Sequence, residues 1–137
     1  MTRPFFETAF ASSVDAMVPA LEGALIALVK EGWIDGKDTF YAHLCLEEAL
    51  VNAIVHGNGG DAAREVRLLL SEEDGCCVIR VCDEGHGFRV DDVKPPDRET
   101  HGGRGICLIR YCMDDVRYDP ASHCLVMRMR RRFSRKE

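Results

Sequence analysis

The chain has 137 residues, enough for one domain around one core, and 46% hydrophobic with 30% charged residues is an ordinary globular composition. A formal net charge of −5 weighs against nonspecific nucleic-acid binding. No apolar run is long enough to span a bilayer, so no membrane association is expected.

In chain order, Phe5 to Phe10 reads as a short first strand. Ser12 and Ser13 are helix-start candidates. Met17, Leu21, Leu25 and Leu28 then recur at helical spacing, up to a stop near Gly32. Pro19 sits best in a first turn, so the regular part of this helix is expected to begin there. Gly36 to Asp38 reads as a turn, with Asp38 or Thr39 as the next cap. A second helix is predicted from Thr39 to His56, with Leu46, Leu50, Ala53 and Ile54 on one apolar face and Gly57 to Gly60 ending it.

Glu65 to Leu70 and Cys76 to Asp83 read as a hairpin joined by a turn at Glu72 to Gly75. Asp83 to Arg104 is rich in Gly, Pro, Asp and His and reads as a long loop, a length usually kept for function. A third helix is predicted from Arg104 to Met113. Strands at Asp115 to Tyr118 and His123 to Arg130 follow, separated by Asp119-Pro120-Ala121-Ser122. The expected fold is α/β: a two-layer sandwich, with a mixed β-sheet and helices on one face, in a single domain over residues 1–137.

Seven cysteines are an odd number, and no Cys-x-x-Cys pair occurs. Most of them (Cys76, Cys77, Cys82, Cys107, Cys112, Cys124) sit in apolar runs. Reduced core thiols are therefore expected, rather than disulfides or a zinc site shared with His43, His86, His101 or His123. Met1 to Phe10 lacks the pattern of a signal peptide, so the expected compartment is the cytoplasm. Arg128, Arg130, Arg131, Arg132, Arg135 and Lys136 form a basic cluster, read as a solvated strand edge and tail rather than a nucleic-acid site.

Three elements carry chemistry. Glu48, Asn52 and His56 are four apart on the second helix and share a stripe roughly opposite its apolar face. Small neighbours Ala49, Ala53 and Gly57 leave room for a ligand to dock there. Asp83 ends a buried strand, where an unpaired carboxylate would be costly, and Gly85 and Gly87 let the backbone turn sharply and approach a flat ligand. Gly102-Gly103-Arg104-Gly105 opens a helix, where backbone N–H groups form an anion site. It is neither a G-x-G-x-x-G fingerprint nor a Walker A loop.

Taken in this order and spacing, the three elements resemble the GHKL ATPase superfamily, which includes gyrase, histidine kinases and MutL. Glu48-Ala-Leu-Val-Asn52-Ala-Ile-Val-His56-Gly57, Asp83-Glu-Gly-His-Gly87-Phe88 and Gly103-Arg-Gly-Ile106-Cys-Leu-Ile-Arg110 are similar to the three boxes of the bacterial anti-sigma factor serine-protein kinases of the RsbW type. The resemblance spans nearly the whole chain and is strongest from Glu48 to Met113.

It implies bound ATP and Mg²⁺. Asn52 would place its amide oxygen on Mg²⁺, a hard cation that takes oxygen ligands. Asp83 would accept from the adenine amino group, with Gly85 and Gly87 in the same glycine turn and Gly87 giving the ring backbone access. Gly103 and Gly105 would offer N–H groups to the phosphates, with added charge from Arg104. Glu48 would be the general base, and residues Arg89 to His101 a lid. His56 has a capping role as an equal alternative. One departure stands out: members often carry Thr or Ser on a late strand beside the adenine, but His123 to Arg130 has neither and only Ser122 precedes it.

Three functions compete. The first is a serine/threonine-protein kinase that sequesters a sigma factor and phosphorylates a STAS-domain antagonist, expected as a homodimer. The second is a non-catalytic ATP-binding module that switches partners with nucleotide state. The third, the ATPase domain of a histidine kinase, calls for a phosphoacceptor helical hairpin that is not legible here. Glu48 favours the first.

Overall fold

The computed structural model describes residues 1–36, 39–85 and 113–130. Outside the described residues lie the Asp38 cap, His86, Gly87 and Phe88, the Arg89 to His101 lid, Gly103, Arg104 and Gly105. The third helix before Met113 and the basic tail beyond Arg130 lie there as well.

Strand β1 spans Thr2–Ala11, longer at both ends than its apolar core suggests. Ser13 caps the helix that follows, its hydroxyl oxygen accepting from the Ala16 N–H at 3.2 Å. Helix α1 runs over Val14–Lys30, so Pro19 lies inside it rather than in its first turn. An interior proline costs about 3 kcal/mol. Met17, Leu21 and Leu28 bury almost completely along the same helix, and each such side chain contributes ~1.5–3 kcal/mol. Burial therefore outweighs the missing backbone bond, and the helix continues through the proline.

Helix α2 spans Thr39–Asn52, and its last stretch is not α-helical: Ala53–Gly57 forms a π turn. The Asn58 N–H reaches back to the Ala53 carbonyl at 2.8 Å, five residues away, which defines the wider turn. The predicted apolar face is present, with Leu46, Leu50, Ala53 and Ile54 all buried.

Strands β2 (Glu65–Glu73) and β3 (Cys76–Cys82) form the expected hairpin. Asp74 and Gly75 turn it with φ of 53° and 81°, the left-handed pair that matches strand twist. Strands β4 (Asp115–Asp119) and β5 (Cys124–Met129) complete a sheet of order β1-β2-β3-β5-β4. The two-layer α/β architecture is as expected, but each strand pairing is antiparallel, not mixed. The reason is topological. Two helices lie between β1 and β2, so the chain reverses an odd number of times and β2 returns antiparallel; a parallel pair would need a single crossover helix.

The helices cover one face of the sheet. Cys77, Ile79 and Val81 of β3, with Val66, Leu68, Leu70, Leu125 and Met127 beside them, belong to the core cluster that includes Leu28, Trp33, Leu46 and Leu50. Alternation sends Val78, Arg80 and Cys82 to the other face. There Arg80 donates to Glu73 at 2.5 Å, and this bond above all holds the Glu73 carboxyl below its ordinary range.

One expectation is overturned on that face. Cys82 and Cys124 lie directly opposite each other across β3 and β5 and are joined by a disulfide. They are 42 residues apart in sequence, so only the strand register reveals them as neighbours. Cys45, Cys76 and Cys77 stay outside any disulfide, as expected.

Candidate functional site

The candidate helix α2 delivers its polar residues to different environments. Asn52 is buried, at 4% exposed, and its Nδ2 has no hydrogen-bond partner among the described residues. Glu48, one turn earlier, is half-buried. His56 is exposed, because the π turn breaks the four-residue spacing and rotates it off the stripe. Gly57 is brought inward instead. A Cβ built on it would lie 2.2 Å from Asp83 Oδ2, so the Asp83 carboxylate rests directly on the end of this helix.

Asp83 follows β3 and is fixed from both sides. Its N–H donates to the His123 carbonyl at 3.0 Å, and its Oδ1 accepts from the Gly85 N–H at 3.0 Å. Gly85 is packed so tightly that a Cβ would fall 1.4 Å from the Gly57 carbonyl oxygen. Burial pushes the Asp83 carboxyl above its ordinary value, against the Gly85 N–H bond and the nearby charges of His123 and Arg64. Tyr118 belongs to the same neighbourhood: burial first, and then the Asp83 charge, raises its phenol.

Two further residues organise this corner and escaped sequence reasoning. Asn58 is 1% exposed and fully used. Its Nδ2 donates to Ser12 Oγ and to the Glu65 carbonyl, both at 3.0 Å, while its Oδ1 accepts the Glu84 N–H at 2.8 Å. One amide thus ties the end of β1, the start of β2 and the turn after β3 to the end of α2. The Glu84 carboxylate closes the same turn by accepting the Glu65 N–H. In sequence, Asn58 is one polar residue in a glycine-rich helix stop, and no periodicity marks it. The second residue is His123, which precedes β5 with φ of 57° and keeps its Nδ1 buried without a partner among the described residues. Ser122, the nearest hydroxyl to the late strand, is exposed and donates to Asp119 at 2.7 Å, outside this corner.

The site therefore has two ends. One is a buried carboxylate, an acceptor suited to an N–H donor such as an exocyclic amino group. The other is a helix carrying a carboxylate and a buried carboxamide with an unused donor. The Histidine kinase-like ATPase domain family model matches residues 10–130. The chain belongs to that family. The match covers Glu48, Asn52, Asp83 and Gly85, and also Gly87, Gly103, Arg104 and Gly105 outside the described residues. No curated protein matches the chain.

A histidine kinase-like ATPase domain binds ATP, generally with Mg²⁺. Asn52 fits that ion by chemistry, because a carboxamide oxygen is a hard donor and its orphaned N–H leaves the group free to turn toward a ligand. Among the described residues, no three His, Cys, Asp or Glu side chains converge on a metal-holding geometry. No described helix is long and apolar enough to cross a membrane.

Proposed function

We propose that this ATPase domain is a serine/threonine-protein kinase and anti-sigma factor, working in a partner switch whose substrate is a STAS-domain antagonist. The observation that carries the reading is the placement of Glu48 one helical turn before Asn52, on a helix whose end is packed onto the Asp83 turn. Asp83 would accept the adenine amino group, Asn52 would hold Mg²⁺, and Glu48 would serve as general base toward the attacking hydroxyl. Mg²⁺, when bound, offsets negative charge on the phosphates. Glu48 accepts the proton of the serine hydroxyl as its oxygen bonds to Pγ. The bond from Pγ to the β,γ-bridging oxygen breaks, and ADP leaves. Gly87, Gly103, Arg104 and Gly105 complete the nucleotide contacts in this reading.

We also propose a homodimer. Two features support a second copy as the occupant: β1 is a ten-residue edge strand, and α1 exposes Val14, Val18, Ile26 and Val29. Phe6, by contrast, is used internally, its ring 3.0 Å from where a Cβ on Gly23 would sit.

Incubation of the purified protein with ATP, Mg²⁺ and candidate STAS-domain proteins tests the kinase reading, with phosphoserine detected by mass spectrometry. Transfer to a serine that is lost in Glu48→Gln supports it. Tight ATP binding with no transfer to any candidate replaces it with a non-catalytic partner-switching module. Light scattering at tens of micromolar tests the dimer, and a monomeric mass overturns it.

A further inference from the structure

The Cys82–Cys124 disulfide sits one rung from the Asp83 carboxylate. The rung beyond it is the Asp83 N–H to His123 carbonyl bond at 3.0 Å. That bond makes Asp83 and His123 a hydrogen-bonded pair, so Cys82 and Cys124 are the adjacent non-hydrogen-bonded pair, where facing side chains come closest. Strand alternation places the cross-link on the face away from α2 and Asp83 on the face toward it.

Both chains leave the sheet here. β3 ends at Cys82, and His123 enters β5 from a left-handed conformation. The disulfide is therefore the last firm tie between β3 and β5 before the Asp83 turn. Among the described residues it is the one covalent link between strands.

We propose that Cys82 and Cys124 form a reversible thiol–disulfide exchange site that sets the order of the Asp83 turn and, through it, nucleotide affinity. The affinity effect rests on the assignment of Asp83 to the adenine end of the site. In exchange with a dithiol reductant, a reductant thiolate attacks one sulfur and the protein S–S bond breaks, leaving a mixed disulfide and a protein thiolate that takes up a proton. The second reductant thiol then displaces the other cysteine. The reductant becomes a cyclic disulfide, two electrons pass to the protein, and both cysteines end as thiols. Cys82 and Cys124 are 7% and 4% exposed, so attack requires the strand ends to part, and a bound nucleotide that braces Asp83 opposes it. Once reduced, the two sulfurs must separate to van der Waals contact. The strand ends move apart, and the Asp83–His123 rung loosens with them.

The test uses the full chain purified without reductant. Alkylation under denaturing conditions, followed by mass spectrometry, is expected to find the Cys82–Cys124 cross-linked peptide before dithiothreitol and not after. Calorimetry with ATP and Mg²⁺ is expected to show about threefold to tenfold weaker binding after reduction, the worth of one net hydrogen bond, and recovery on reoxidation. Hydrogen exchange at the Asp83 amide should quicken on reduction. A Cys82→Ser/Cys124→Ser variant should bind like the reduced form and ignore dithiothreitol. Absence of the cross-linked peptide overturns the proposal, as do equal affinity and equal exchange in both states. If neither state binds ATP while exchange at Asp83 still follows the redox state, the exchange site stands and the adenine assignment falls.

Discussion

The carbonyl oxygen of Gly57 fills the space in which a side chain on Gly85 would begin, with a Cβ falling 1.4 Å from it. The obstacle is backbone on both sides and cannot swing away. Gly85→Ala is therefore expected to push the Asp83 turn off the end of α2. The overpacking should cost ~1–3 kcal/mol, lowering Tm by several degrees, and ATP binding should weaken with it. Differential scanning calorimetry beside an ATP titration checks both. Wild-type affinity in a destabilised Gly85→Ala protein would mean that the turn does not hold the nucleotide.

Glu48 and Asn52 share a helix but are assigned different work, so their variants should separate. Glu48→Gln keeps shape and hydrogen bonding but cannot take a proton. It should bind ATP as well as wild type or slightly better, while phosphoryl transfer falls by about 10²–10⁴. Asn52→Ala should lose ATP affinity and most of its Mg²⁺ dependence. Titrations with and without Mg²⁺, next to a transfer assay, read both. If the two variants bind ATP normally, this helix does not face the nucleotide.

Asp83 should make the site prefer ATP over GTP, because a carboxylate accepts from adenine's amino group and meets guanine's carbonyl oxygen acceptor to acceptor. A charge-assisted hydrogen bond is worth ~1.5–3 kcal/mol, so the preference should be at least about tenfold. Asp83→Asn, which can donate, should shrink it. Competition titrations of the two nucleotides give the ratio directly.

Burial raises the Asp83 carboxyl in the folded protein, and this fixes opposite pH trends for stability and binding. The folded state holds this proton more tightly than the unfolded chain, so Asp83's contribution to stability falls as pH rises through the window up to its raised value. In the proposed adenine contact the ionised carboxylate is the stronger acceptor, so ATP affinity should rise through the same window. Affinity measured from pH 4 upward should therefore titrate above the ordinary aspartate range, and Asp83→Asn should flatten the curve.

Glu73 has the reverse sign. Its hydrogen bonds from Arg80 depress its carboxyl, with Ser71 and the Arg128 charge adding to the effect. The stability it contributes is fully present above the unfolded value and is lost as pH falls through the depressed folded one. Glu73→Gln should destabilise the domain by about 1–3 kcal/mol at neutral pH. Urea denaturation at pH 7 and again near pH 3 should show the gap between variant and wild type narrowing in acid.

Much of this was legible in the residues. The spacing of Met17, Leu21 and Leu28, the Ser13 cap and the apolar face of α2 are local patterns, and they formed as expected; the turn expected over Glu72 to Gly75 narrows to Asp74-Gly75. Glu48 and Asn52 stand out as a polar stripe opposite an apolar face, and Asp83 as a carboxylate that ends a buried strand. What escaped depends on long-range geometry. Propensity favours Pro19 in a first turn, whereas packing on the sheet carries the helix through it. The antiparallel return of β2 against β1 follows from the two helices that lie between them. Asn58 and the Cys82–Cys124 pair acquire their partners only when distant strands meet.

The π turn at Ala53–Gly57 acts as a phase shifter within an otherwise continuous helix. Before it, every fourth residue faces the carboxylate-and-amide side; after it, the sequence is read one step out of register. That step trades an imidazole for a hydrogen atom at the point of contact, leaving His56 in solvent and pressing Gly57 onto Asp83. Wound as an uninterrupted α-helix, the same residues would carry the four-residue count of Glu48 and Asn52 on to His56. An imidazole would then point where Asp83 leaves no room even for a Cβ, and the Asp83 turn could not close onto the helix, although none of its own residues had changed.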